Sequence, residues 1–236
     1  MEIGRIAVLG AGQMGAGIAQ VASCAGFPVV MIDIEQKYID RGIQTIEKSL
    51  SKLVSKQRMT QEEADVAISL VSTSISREAA SDADLVIEAI PEVPELKFSA
   101  FKELDSICKE SAILASNTSS ISINDIADST NRPERVIGMH FMNPVPIMKL
   151  VEIINGSETD PEVTSAILTA SEKMGKTPLQ CNDSPGFISN RILCPMLNEA
   201  ILAFQEGVAE PEAIDGIMKL GMNHPIGPLA LADLIG

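Results

Sequence analysis

The 236 residues contain two histidines, and only His140 stands where chemistry can be done. It follows the apolar run Val136-Ile137-Gly138-Met139, and Glu152 lies twelve residues later inside Leu150-Val151-Glu152-Ile153-Ile154. A carboxylate inside an apolar strand is costly unless it is paired. An imidazole is a fitting partner, because the carboxylate fixes its tautomer and makes the other ring nitrogen a better proton acceptor. The chemistry on offer is the acid–base transfer of one proton. The spacing alone leaves two readings open: a working dyad, or a core histidine that only satisfies a neighbour. His224, in Met222-Asn223-His224-Pro225, has the surroundings of a turn and receives no catalytic role.

A second constellation lies near the start. Residues 6–9, a short apolar run, lead straight into Gly10-Ala11-Gly12-Gln13-Met14-Gly15. In a G-x-G-x-x-G loop the first glycine permits the turn out of a strand and the second lets backbone approach a pyrophosphate. The third lets the following helix pack closely on the sheet, with its N-terminal N–H groups facing the anion. Glycine-rich turns are common, so the motif counts only in context: a strand before, a helix after and an acidic residue downstream. Asp33 supplies the last, 18 residues after Gly15 at the end of the run 29–32. A carboxylate there accepts from both ribose hydroxyls and repels a 2′-phosphate, which favours NAD over NADP.

These residues need a scaffold, and the periodicity predicts one. Strand 5–9, helix 14–25 and strand 29–33 form an opening unit. An amphipathic helix follows over about 36–56, with Ile39, Ile43, Ile46, Leu50, Leu53 and Val54 on one stripe. Thr60 and Glu63 form a capping-box signature that starts another helix, so the pair reads as a helical hairpin inserted before the next strand. Strands are expected at 72–75, within 83–90, and at 113–115, 136–140, 151–154 and 177–180. Helices are expected at 94–108, 123–128 and 161–174. Alternating strands and helices indicate an α/β, Rossmann-type, doubly wound and mostly parallel sheet. Ligands of such sheets sit beyond the C-terminal strand ends, where Gly10, Asp33, Glu92, Asn117 and His140 fall.

After Ser184-Pro185-Gly186 the pattern becomes helical only, with helices over 187–205 and about 211–220. The boundary is placed at 184, with a Rossmann domain 1–184 and a small all-α domain 185–236. Such a short piece can scarcely bury both sides of so apolar a helix. The expectation is that the helical domain dimerises or leans on the first. Its lack of a closing element at 232–236 suggests a truncated chain.

Composition narrows the classes further. The core must be aliphatic, since aromatics make up 3% of the chain and tryptophan is absent. No apolar run approaches the roughly 18–20 residues of a membrane span, and the first strand begins too near Met1 for a leader. Cys24, Cys108, Cys181 and Cys194 are scattered, with no metal or disulfide spacing. These features suggest a cytoplasmic protein with no membrane partner. The net charge of −14 disfavours nucleic acid. Charge is uneven, however: over 37–58 six basic residues face two acidic ones. That helix is either a solvated face or a local attractor for a phosphorylated ligand.

Segments 9–20, 116–122, 140–154 and 183–193 together resemble the 3-hydroxyacyl-CoA dehydrogenase family, and its bacterial 3-hydroxybutyryl-CoA dehydrogenases most of all. The resemblance runs along the whole chain, and the last three segments are far more specific than the glycine loop. It implies NAD-dependent, reversible oxidation of (S)-3-hydroxyacyl-CoA, with short acyl chains expected. It implies His140 as general base, Glu152 as its orienting carboxylate, and Ser119 and Asn190 as hydrogen-bond partners of the substrate oxygens. The cofactor positions it implies are Gly10, Ala11, Gly12, Gln13, Met14, Gly15, Asp33, Glu92, Lys97, Ser119 and Asn143. Ser49, Lys56 and Ser119 match coenzyme A positions, which gives the basic helix a purpose. Some members use NADPH, so the NAD preference is not absolute. A homodimer through the helical domain is also implied, and family chains usually continue for some tens of residues beyond the equivalent of Gly236. Two other readings remain at this point: a dehydrogenase of a free hydroxy or sugar acid, and a dinucleotide-binding protein without turnover.

Overall fold

In the computed structural model, which describes residues 1–235, the run Ile6–Leu9 is fully buried as β1. It leads into α1 (Gln13–Cys24), whose buried face is built from small residues, Gly15, Ala16, Ala19 and Ala22, so that it lies close to the sheet. β2 (Val29–Ile32) pairs parallel with β1. The helical hairpin follows as α2 (Gln36–Ser55) and α3 (Gln61–Ser69). Thr60 and Glu63 cap α3 reciprocally, each side chain taking the other's backbone N–H. β3 (Val71–Ser74) then pairs with β2, and β4 (Leu85–Glu88) returns to the other side of β1.

The sheet grows outward through α4 (Pro94–Ile107), β5 (Ile113–Ser116), α5 (Ile123–Ala127) and β6 (Val136–Phe141). β7 (Leu150–Asn155), α6 (Pro161–Lys173) and β8 (Thr177–Asn182) complete it. The strand order is β3-β2-β1-β4-β5-β6-β7-β8. Order reverses at β1, which is the switch point where such sheets bind their ligands. β6 and β7 pair antiparallel, and β8 runs parallel to β7. The sheet is therefore mostly parallel with two reversed strands at one edge. The reason is local: residues 142–149 hold no helix that could cross the sheet face, so the chain simply doubles back.

The chain divides into two compact units, residues 1–184 and the residues from 185 on. The second contains α7 (Ser189–Gln205), α8 (Pro211–Gly221) and α9 (Pro228–Ile235). α9 spans 228–235, where the sequence pattern names no element and 232–236 is expected to lack a closing one. Pro228 stands at its first position, and the Asp215 carboxylate of α8 accepts from Leu229 N and Ala230 N at 2.8 and 3.0 Å. This cap comes from another helix, so no local capping residue announced it. Among the described residues no helix is long and apolar enough to cross a membrane, and no cluster of three metal-ligating side chains occurs.

Candidate active site

The antiparallel pairing of β6 and β7 sets His140 directly opposite Glu152. Both are buried, at 6% and 4% exposure, and His140 Nδ1 lies 2.8 Å from Glu152 Oε2. An ionised carboxylate only accepts, so the hydrogen of a neutral imidazole sits on Nδ1 and Nε2 is left with its lone pair. Ser119, on the loop after β5, places Oγ 3.0 Å from that Nε2. The serine hydroxyl is the donor in this tautomer. A proton acceptor is thus aimed away from its carboxylate, toward a hydroxyl.

A polar network fixes the Ser119 loop. Glu92, just beyond β4, accepts from the Thr118 hydroxyl, from Ser119 N and Ser120 N at 2.9 and 3.0 Å, and from Ser120 Oγ at 3.0 Å. Burial raises its pKa, but the Thr118 bond, the Lys97 charge and the Ser119 amide outweigh that and hold the carboxyl below its ordinary range. Lys97 is 1% exposed and enclosed, with Nζ 2.5 Å from Glu88 and 3.3 Å from Glu92. Glu88 also accepts from Ile90 N at 2.7 Å and Ser116 Oγ at 2.6 Å. Sequence reasoning missed Glu88, Ser116 and Thr118. The available signal was Glu88 itself, a charge ending the buried run Leu85–Glu88 nine residues before Lys97. Asn117 Oδ1 accepts from Phe141 N at 2.9 Å and ties this loop to the strand of His140.

At the switch point, Gly10 has φ +106°, and a Cβ there would lie 2.5 Å from the carbonyl oxygen of Ala89. A Cβ on Gly15 would lie 1.8 Å from the carbonyl oxygen of Gly10, so helix and loop approach as only glycine allows. At Gly12 nothing lies within 4 Å of an added Cβ. That open space adjoins the start of α1, which carries neither a side-chain cap nor an acidic residue in its first turn. Exposed backbone at a bare helix N-terminus suits a pyrophosphate. Asp33 follows β2, and its two carboxylate oxygens accept from Ala11 N and Ile34 N, both at 2.7 Å. Each oxygen keeps a lone pair for a ribose hydroxyl. Gln13 Nε2 donates to Asn143 Oδ1 at 2.9 Å, which brings Asn143 from the β6–β7 connection to the glycine loop. The donor set fits a dinucleotide.

Three expected residues lie outside this cluster. Ser49 is half-buried in the last turns of α2, and Lys56 is exposed just past its end. Asn190 stands in the first turn of α7, in the second unit.

A dinucleotide cradle at one strand end, with a carboxylate-paired histidine further along the same sheet, fits an oxidoreductase that uses a nicotinamide dinucleotide. Comparison with known proteins sharpens this class. The profile of the 3-hydroxyacyl-CoA dehydrogenase NAD binding domain matches residues 5–184, and that of the 3-hydroxyacyl-CoA dehydrogenase C-terminal domain matches residues 186–236. The chain belongs to the 3-hydroxyacyl-CoA dehydrogenase family. It is 56% identical over 236 residues to a probable 3-hydroxybutyryl-CoA dehydrogenase of Bacillus subtilis, covering 100% of this chain and 82% of the relative. A 3-hydroxybutyryl-CoA dehydrogenase of Clostridioides difficile is 47% identical over 232 residues, covering 98% of this chain and 83% of the relative. The crystal structure of (S)-3-hydroxybutyryl-CoA dehydrogenase from Ralstonia eutropha superposes with a TM-score of 0.98 at 47% identity, covering 100% of this chain and 83% of that one.

Proposed function

We propose that the chain oxidises short (S)-3-hydroxyacyl-CoA thioesters, 3-hydroxybutyryl-CoA foremost, reversibly to 3-oxoacyl-CoA with NAD. The observation that carries the proposal is the His140 ring, held by Glu152 at 2.8 Å on Nδ1 with Nε2 left toward Ser119 at 3.0 Å. His140 Nε2 takes the proton of the C3 hydroxyl, and Glu152 stabilises the imidazolium that forms. A dinucleotide held by the glycine loop and Asp33 would supply the acceptor for the hydride that leaves C3. In the reductive direction His140 returns the proton to the C3 oxygen. Ser119 and Asn190 hydrogen-bond the substrate oxygens and hold the hydroxyl toward the base.

The same reading assigns the remaining residues. Asp33 selects NAD over NADP by accepting from the ribose and repelling a 2′-phosphate. The glycine loop, Glu92, Lys97 and Asn143 serve the cofactor, and Ser49 and Lys56 on basic α2 serve coenzyme A. Residues 1–184 act as the cofactor domain. The helical domain, 185–236, supplies Asn190 and forms a homodimer, for which exposed Phe204, Leu220 and Leu234 offer apolar surface. Turnover of 3-hydroxybutyryl-CoA compared with free 3-hydroxybutyrate tests the substrate class. The thioester is expected to react and the free acid is not, and equal rates would contradict the coenzyme A assignment.

A further inference from the structure

Lys176, between α6 and β8, is 8% exposed, and its ammonium donates to the carbonyl oxygen of Val145 and, at 2.9 Å, to that of Met148. Among the described residues no carboxylate lies within ion-pair distance of it, and burial pushes its pKa down. Lysines are almost never this buried unless paired. A desolvated cation held by carbonyls alone is a costly way to fill space.

Both carbonyls belong to residues 142–149, the connection between the strand of His140 and the strand of Glu152. Other contacts hold the same segment at separate points. Val145 is 2% exposed against α1, where a Cβ on Gly17 would lie 2.8 Å from Val145 Cβ. Thr177 N donates to the carbonyl of Lys149 at 2.8 Å. Asn143, at the exposed head of the segment, meets Gln13 of the glycine loop. The segment thus bridges the dinucleotide loop and the His140–Glu152 pair. Lys176 is the only charged side chain among the described residues seen to grip it.

We propose that Lys176 is a positioning residue, which pins the β6–β7 connection so that Asn143 stays on the glycine loop while His140 stays opposite Glu152. This rests on the cofactor assignment made above for Asn143. A lysine that merely packed its methylenes would be replaced by methionine without consequence to this segment. A lysine that pins it would not.

Lys176→Met in the full chain separates these roles. Amide hydrogen exchange without cofactor reads the segment directly, because Ile147 N and Met148 N both bond to the Pro144 carbonyl at 3.0 Å inside it. Exchange there is expected to quicken about 10-fold or more while β1 and β4 amides stay unchanged, the loss of bonds from a charged donor being of that size. The dissociation constant for NADH, followed by its fluorescence, is expected to rise about 10-fold with KM for the acyl-CoA within about twofold. Wild-type exchange over 142–149 with wild-type NADH affinity would overturn the proposal. If Lys176→Met does not fold, Lys176→Arg keeps charge and donors. It is expected to keep the protection of 142–149, and a folded Arg variant with that segment unprotected would overturn the proposal equally. The exchange and NADH arms require no acyl-CoA turnover, so they stand or fall separately from the substrate assignment.

Discussion

The two working ends of the sheet solve their problems with different materials. Around β1 the work is done by backbone and by missing atoms. Gly10 and Gly15 approach neighbours that a methyl group would strike, Gly12 leaves open space, and the start of α1 is uncapped. Around β6 and β7 the work is done by side chains in register, with His140 facing Glu152 across an antiparallel pair and Ser119 brought in by the loop after β5. On the proposed function, the first end holds a ligand and relies mainly on space, dipoles and the Asp33 carboxylate. The second moves a proton and needs donors and acceptors at hydrogen-bond distance. Affinity and chemistry should therefore be separable by mutation.

Glu152→Gln should cut the hardest into chemistry alone. The amide can donate to Nδ1 and leave the hydrogen on Nε2, so that the base is lost. A fall in kcat on the order of 10²–10⁴ is expected, with NADH affinity retained. Gly15→Ala attacks the other end. Its methyl would meet the Gly10 carbonyl at 1.8 Å, and a loss of about 3 kcal/mol is expected in denaturant unfolding, since overpacking of backbone has no flexible side chain to yield. Gly12→Ala sharpens the contrast, because its methyl meets nothing within 4 Å. Stability should hold while NADH binding weakens by about 10-fold to 100-fold, the methyl standing where the pyrophosphate approaches.

A smaller effect is expected with pH. The folded-state pKa of Glu92 lies below the ordinary glutamate value of 4.5. Its bonds to the Ser119 loop therefore stabilise fully above that value and are lost as pH falls through the lower folded one. Amide exchange at residues 119 and 120 should accelerate on acidification in that window. In Glu92→Gln the same amides should lose this acid dependence.

The difference between the two ends also explains what could be read in advance. The dinucleotide end is local: strand, glycines, helix and Asp33 lie within some thirty residues, and each carries its own conformational signature. The capping box at Thr60 was legible for the same reason. The pairing of His140 with Glu152 depends on register across two strands, and twelve residues of spacing could not choose between a dyad and a coincidence until the family resemblance was added. The reversed direction of β7 was within reach, since 142–149 contains no crossover helix. Glu88 gave a signal as a charge ending a buried run, but its partners Lys97 and Ser116 come from different elements, so the pairing itself was not legible. The Asp215 cap of α9 and the Lys176 grip on the β6–β7 connection were hidden for the same reason. Buried polar contacts between distant segments leave little trace in either segment alone.

The central claim is that His140 moves the proton and does not hold the cofactor. Single-turnover formation of NADH from 3-hydroxybutyryl-CoA in His140→Gln, alongside NADH titration of the same variant, tests it most directly. The account predicts unchanged NADH affinity and a rate lower by about 10²–10⁴. A His140→Gln enzyme that reduces NAD at the wild-type rate would contradict it.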